Sequence, residues 1–249
     1  MKRIVAIGGG EIGRPSFPIE TAKIDKEIIR LTGKKNPRLL FLPTASSDSE
    51  LYHDVVQKYF GKKLGCKVKV LNLIREKFSQ KEIKEKILSS DIIYVGGGNT
   101  LKMMKVWRKM GVDKILKLAH EKGIVLSGLS AGSICWFKYG SSDSRREKNP
   151  KADLIKVSGL GLIQAVHCPH YHFEKDRRAD LKKMMKKTAG VAIALDNCSA
   201  IEVVGEKYRI ITSKSSANAY KVYWKNNKYH EEKIKEEKEF KPLKELLKK

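Results

Sequence analysis

Short apolar runs recur along the first half of the chain, each followed by a stretch with helical periodicity. Ile4–Ile7 predicts a strand and Thr21–Leu31 a helix. Arg38–Leu42 and Lys67–Leu71 predict strands, with helices over Glu50–Phe60 and Gln80–Ser89. Asp91–Val95 predicts a fourth strand, followed by helices within Thr100–Glu121. Ile124–Ser127 is a fifth, with a helix starting near Ala131. Strands that alternate with helical stretches of about 10–15 residues imply βαβ units, hence a parallel sheet covered by helices on both faces.

Beyond Phe137 the alternation loosens. Gly140–Asp153 is polar and reads as a loop, Leu162–Val166 as a short strand and Lys175–Lys187 as a helix. Val191–Leu195, Ala200–Val204, Tyr208–Thr212 and Tyr220–Trp224 follow as short strands, with Gly205-Glu206-Lys207 as a tight turn. From about residue 231 the chain is charged, with apolar Ile234, Phe240, Leu243, Leu246 and Leu247, and reads as a docked or frayed terminal helix. No linker forces a division, so residues 1–249 are expected to form a single domain.

Glycines gather where these strands end. Gly128-Leu129-Ser130-Ala131-Gly132 is a G-x-S-x-G between a predicted strand and a predicted helix. A sharp strand-to-helix turn exposes the serine hydroxyl and aims the free N–H groups of the helix start at it, as an activated nucleophile requires. Gly96-Gly97-Gly98-Asn99-Thr100 ends the preceding strand, with Asn99 or Thr100 as helix cap. In a parallel sheet both loops lie at the same carboxyl edge. A glycine N–H with that of Ala131 would then form an oxyanion hole.

Gly8-Gly9-Gly10-Glu11-Ile12-Gly13 fits G-x-G-x-x-G, the spacing of a dinucleotide loop. Pro15 and Pro18 delay any helix beyond the motif, and no acidic residue ends the second strand, so this reading is not favoured. His167, His170 and His172 cluster near Pro169. Zinc ligation needs several of them together, whereas a general base needs one within reach of Ser130. An acid to orient the imidazole could be Asp143, with Asp196 and Glu174 as rivals.

Composition changes this picture little. There are 52 Lys and Arg against 28 Asp and Glu, a formal net charge of +24. The lysines are spread through the chain and mixed with glutamates, without the aromatic interleaving that stacks bases, so a solvated surface is expected rather than a nucleic-acid partner. Cys66, Cys135, Cys168 and Cys198 are too scattered for a disulfide framework or a cysteine-rich metal site, and are expected as buried thiols in a cytoplasmic protein. No apolar run approaches the roughly 18–20 residues that span a bilayer, and the apolar start is too short for a signal peptide.

Taken together, Gly8–Gly10, Phe41-Leu42-Pro43-Thr44-Ala45-Ser46, Val95–Thr100, Gly128–Ser133 and Cys168-Pro169-His170-Tyr171 resemble the dipeptidase E and cyanophycinase family of serine peptidases, peptidase family S51. The resemblance implies an α/β/α sandwich with a mainly parallel sheet, like the class I glutamine amidotransferase fold. It implies Ser130 as nucleophile, His170 as base and Asp143 in the segment that supplies the acid. Gly97, Gly98, Asn99 and Ala131 would bind the oxyanion and substrate, with no metal and no cofactor. The implied partner is a short peptide, notably a dipeptide with N-terminal aspartate, and a homodimer stays open. Cys168 stands where the dipeptidases carry asparagine, and the segment lacks the Asp-Gln pair of cyanophycinases. Arg177 and Arg178, just after the histidine, are candidates to hold an acidic side chain. Two other readings are an α/β-hydrolase esterase, against which the lack of an early HGGG-type loop counts, and a catalytically silent nucleotide- or nucleic-acid-binding protein.

Overall fold

The computed structural model describes residues 1–249. The chain opens with β1 (Arg3–Ile7), α1 (Ala22–Arg30), β2 (Arg38–Leu42), α2 (Glu50–Val56), β3 (Lys67–Val70), α3 (Gln80–Leu88) and β4 (Ile92–Val95). Then come α4 (Thr100–Lys109), α5 (Val112–Glu121), β5 (Val125–Leu129) and the short α6 (Ala131–Ile134). The second part holds β6 (Phe137–Ser142), β7 (Ile155–Ser158), β8 (Ile163–Cys168), α7 (Arg177–Lys186), β9 (Ala192–Leu195) and β10 (Ser199–Val204). It ends with β11 (Lys207–Thr212), β12 (Ala219–Lys225), β13 (Lys228–Ile234), β14 (Lys241–Pro242) and α8 (Leu243–Leu246).

The strands form two sheets, one of eight strands in the order β14-β11-β10-β1-β5-β4-β2-β3 and one of six in the order β13-β12-β9-β8-β6-β7. β1, β5, β4, β2 and β3 run parallel, whereas β10 and β11 add antiparallel. Alternation along each strand sorts side chains between two cores. Val5, Ile7, Leu39 and Phe41 face α1, α2 and the π-helical turn Gln57–Lys63 that continues α2, where Ile24, Ile28, Val56 and Phe60 are buried. Ile4, Ala6, Leu40 and Leu42 face the opposite way, into a core shared by α3, α4, α5 and the inner face of the second sheet. Leu181 and Met185 of α7 cover that sheet's outer face, against Val166, Ala192 and Val222.

Two segments depart from the periodicity reading. Gly140–Ser142 is the end of β6 rather than the start of a loop, because it pairs with both β7 and β8. The tail contributes β13 before its short helix. Asn226 and Asn227 both take positive φ, 50° and 59°, and fold β12 onto β13 as a two-residue hairpin. No helix is long and apolar enough to cross a membrane. All four cysteines are free and buried.

Under α1 lies a buried acid. Asp25 Oδ2 accepts the Thr21 hydroxyl at 2.7 Å, while Asp25 Oδ1 and the hydroxyls of Tyr59 and Tyr94 have no partner. Burial pushes the Asp25 carboxyl from 3.8 up to about 7. With the folded value raised, the unfolded chain loses this proton first. Stability therefore falls as pH rises from about 4 to about 7, in total by about 4 kcal/mol. Asp25→Asn is expected to raise Tm at pH 8 by several degrees, at about 2–4 °C per kcal/mol for a chain of this size, and to give little at pH 4. An equal gain at both pH values would show that the effect is not ionisation.

Candidate active site

β1, β4 and β5 end together, and their carboxyl ends carry the three glycine loops. Ser130 follows β5 directly, with φ 57° and ψ −113°, a conformation a serine holds only when its surroundings enforce it. The enforcement is visible in the backbone. Ser130 N–H donates to Ile7 O at 3.1 Å, and Ser130 O accepts from the N–H groups of Ser133 and Ile134 at 2.9 and 3.0 Å. The two glycines of the pentapeptide are steric necessities. A Cβ on Gly128 would overlap Gly132 O, and one on Gly132 would overlap Val95 O.

The elbow points the hydroxyl at His170. Ser130 Oγ lies 2.8 Å from His170 Nε2, and His170 Nδ1 lies 2.6 Å from Asn197 Oδ1. An amide oxygen only accepts, so Nδ1 carries the proton and donates to it, which leaves the Nε2 lone pair to accept the Ser130 hydroxyl. His170 is itself held in a left-handed conformation, φ 55°, with its N–H on Gly8 O at 3.0 Å. Gly9 makes room for this arrangement, since a Cβ there would overlap both Asn197 Oδ1 and the His170 ring. The first glycine run thus serves packing against the histidine and amide. It does not open a helix, since α1 begins only at Ala22.

None of the three expected acids touches the imidazole. Asp143 Oδ2 lies 3.3 Å from Arg177 Nη2, and Glu174 Oε2 accepts from Arg177 Nε at 2.7 Å. Asp196 Oδ1 faces His172 Nδ1 at 2.9 Å, and Asp196 Oδ2 accepts the Asn218 N–H. The partner is the neighbour of one rival, Asn197, in the turn between β9 and β10. A neutral amide carries no titratable signature, so nothing in its residue type marks Asn197 as a partner for an imidazole. Its one signal was position, at the end of a predicted strand.

Arg177, proposed from sequence as an acid-binding group, is 1% exposed. Its guanidinium is taken up by Glu174, Asp143 and the Ser141 carbonyl, which it reaches at 3.1 Å. Arg178 pairs with Glu231 at 2.9 Å. Arg177 therefore ties the Asp143 loop to the His170 loop, with no free edge for a ligand.

Arg177 also acts on His170 through space. Burial, then the Arg177 charge, hold the imidazole below its ordinary 6.5, and the Asn197 hydrogen bond and the charges of Glu174 and Asp143 offset this in part. A general base at this position would be the neutral ring, so activity would fall as pH drops through the folded value. The acid limb of kcat/KM is expected to have its midpoint below 6.5, and a midpoint above it in a pH-rate profile would contradict the assignment.

On the far side of Ser130 lies the loop after β4. A Cβ on Gly97 would sit 3.5 Å from Ser130 Cβ. Gly96 N–H donates to Leu42 O and Gly97 N–H to Tyr52 Oη, each at 3.2 Å, whereas Gly98 N–H has no acceptor. Ala131 N–H stands at the first position of α6, where helical bonding supplies no acceptor. Asn99 is committed elsewhere. Its Oδ1 caps α4 at Lys102 N, 2.9 Å, and its amide donates to Ser144 O at 3.0 Å and to the Glu147 carboxylate.

His167 is separate from this site. It is buried, with Nε2 2.8 Å from Ser133 Oγ and Nδ1 donating to Ile193 O at 2.9 Å, and burial holds it down at about 3. No group of three or more His, Cys, Asp or Glu side chains is placed to hold a metal ion.

A strained serine, an imidazole at hydrogen-bond distance and unpaired N–H groups beside it can carry out acyl transfer. Comparison with known proteins agrees in class. The model of peptidase family S51 matches residues 4–211. The uncharacterized peptidase YgaJ of Bacillus subtilis is 34% identical over 226 residues, 89% of this chain and 92% of that one. The crystal structure of a peptidase from an acI-B1 Actinobacterium superposes with a TM-score of 0.71 at 19% identity, over 97% of both chains. That of a putative peptidase E from Listeria monocytogenes gives 0.63 at 19% identity, over 85% of this chain and 98% of the other. At such identities these two structures speak for the fold.

Proposed function

The chain belongs to peptidase family S51 and is a peptidase, and we propose that it is a serine peptidase of short peptides, with dipeptides bearing N-terminal aspartate as its substrates. The observation that carries this reading is the relay Ser130 Oγ–His170 Nε2, His170 Nδ1–Asn197 Oδ1 at 2.8 and 2.6 Å.

His170 takes the Ser130 proton as Oγ attacks the peptide carbonyl. The negative charge that forms on the carbonyl oxygen is met by the N–H groups of Gly98 and Ala131, which no protein acceptor engages. The imidazolium gives its new proton to the leaving amine. Water then enters, loses a proton to His170 and releases the acyl group from Ser130. Asn197 stabilises the Nδ1–H tautomer without a full charge, so the imidazolium is supported less than by a carboxylate. Asp143 is proposed here as a second-row charge that acts on His170 across Arg177 rather than as a contact partner.

The test is amine release from a panel of Asp-X, Asn-X and X-Asp dipeptides, together with mass spectrometry after treatment with an organofluorophosphonate. Turnover of Asp-X and a single adduct on Ser130 are the expected results. An adduct without turnover of any aspartyl dipeptide would retain the nucleophile and remove the substrate. Turnover of simple esters alone would favour an esterase.

A further inference from the structure

The carboxyl ends of β2, β4 and β5 lie side by side, with Leu42 paired to Val95 and Val95 to Gly128. The start of α2, the loop Gly96–Gly98 and the Ser130 elbow are therefore neighbours, although they lie far apart in the chain. Gly97 is where the loop meets the elbow, since a Cβ on it would lie 3.5 Å from both Ser130 Cβ and Leu129 O.

The N–H groups of this loop are fixed one by one. Gly96 N–H donates to Leu42 O at 3.2 Å and Asn99 N–H to Ala45 O at 2.8 Å, both backbone bonds. Gly97 N–H donates instead to a side chain, the Tyr52 hydroxyl, at 3.2 Å. Gly98 N–H, between these anchors, is the one without an acceptor.

Tyr52 is firmly placed. Its N–H donates to Ser49 Oγ, the cap of α2, at 3.3 Å, which fixes the first turn of that helix. Its ring meets buried Phe41 edge to face, 5.1 Å between centroids. The same ring lies against Gly96, where a Cβ would come within 2.9 Å of Tyr52 Cε1. Burial pushes the hydroxyl up to about 12, so the acceptor is uncharged at neutral pH. A carboxylate in its place would set a negative charge beside the oxyanion that the loop has to stabilise.

We propose that Tyr52 is a positioning residue for the oxyanion hole: by taking the Gly97 N–H, it holds the Gly98 N–H toward the carbonyl oxygen that attack by Ser130 makes negative. This rests on the reading of Ser130 as nucleophile. Tyr52 acts through the loop and needs no contact with substrate. Without its hydroxyl, the Gly97 peptide loses its anchor, and the Gly98 N–H turns with it. A preorganised donor acts on the transition state, so the loss falls on the rate of the chemical step rather than on ground-state binding.

The experiment is the kinetics of phosphonylation of wild type, Tyr52→Phe and Tyr59→Phe by the organofluorophosphonate, with the adduct located by mass spectrometry and a thermal melt of each protein. Ser130 Oγ attacks phosphorus, His170 takes its proton and fluoride leaves, with the phosphoryl oxygen in the oxyanion hole. The reagent thus reports on the hole without any dipeptide. Tyr52→Phe keeps the ring against Phe41 and removes only the hydroxyl. Its limiting rate, kinact, is expected to fall about 10–100-fold, with KI within about twofold of wild type. Tyr59→Phe, which removes a buried hydroxyl without a partner, should leave both constants unchanged. A wild-type kinact in Tyr52→Phe, a rise in KI that accounts for the loss, or an equal loss in Tyr59→Phe overturns the proposal and leaves Ser130 as the nucleophile. No adduct on wild-type Ser130 overturns the reading of Ser130 and the proposal with it.

Discussion

Ser130→Ala is expected to lower turnover of any substrate of this site by about 10⁴–10⁶-fold while leaving the fold intact. The loss is large because His170 then has no hydroxyl to deprotonate, and only substrate binding and the free N–H groups remain. The fold survives because Ser130 Oγ makes a single hydrogen bond, to His170, whereas the elbow is held by backbone bonds to Ile7, Ser133 and Ile134. Steady-state rates with a thermal melt decide it. Residual activity above about 1% with an unchanged Tm would place the nucleophile elsewhere.

Gly9→Ala should be nearly as damaging although residue 9 has no chemistry of its own. The added methyl would occupy the space of Asn197 Oδ1 and the His170 ring, so one of the two must move. A displacement of about 1 Å in a catalytic group costs on the order of 10²-fold, and a base that loses its orienting partner costs more. A fall in kcat of about 10²–10³-fold is expected, with a change in the acid limb of the pH profile because the Asn197 hydrogen bond no longer supports the imidazolium. Wild-type kcat in Gly9→Ala would mean that the first glycine run has another purpose.

Much of the catalytic edge could be read along the chain. Alternation of apolar runs with helical stretches located β1 to β5 within a residue or two, because buried parallel strands are written largely in Val, Ile and Leu, while β3, at the sheet edge, alternates Lys and Val. Ser130 stood out through the glycines at 128 and 132, whose necessity is local: the elbow passes too close to Val95 and to itself for any side chain. His167, His170 and His172 stood out as a cluster, and the family resemblance, with its proline before the histidine, chose His170 among them. The second sheet was less legible. β6 is interrupted by Gly140 and ends in serines, and its pairing partners β7 and β8 lie later in the chain.

What the sequence by itself determined is the class of fold, the positions of the glycine loops and Ser130 as the candidate nucleophile, because each depends on spacing within a few residues; His170 was singled out from its neighbouring histidines by the family resemblance. What only the tertiary structure decided is which partners complete them. Asp143 and Glu174 both pair with Arg177, and Asp196 turns to His172, which leaves Asn197 as the group within 2.6 Å of the imidazole. That choice depends on how the ends of β1, β8 and β9 meet, and on the space that one hydrogen at Gly9 leaves between them. Charge could not foretell it, because a carboxylate forms its strongest pair with the nearest cation, and nearness is settled only when the two sheets have packed.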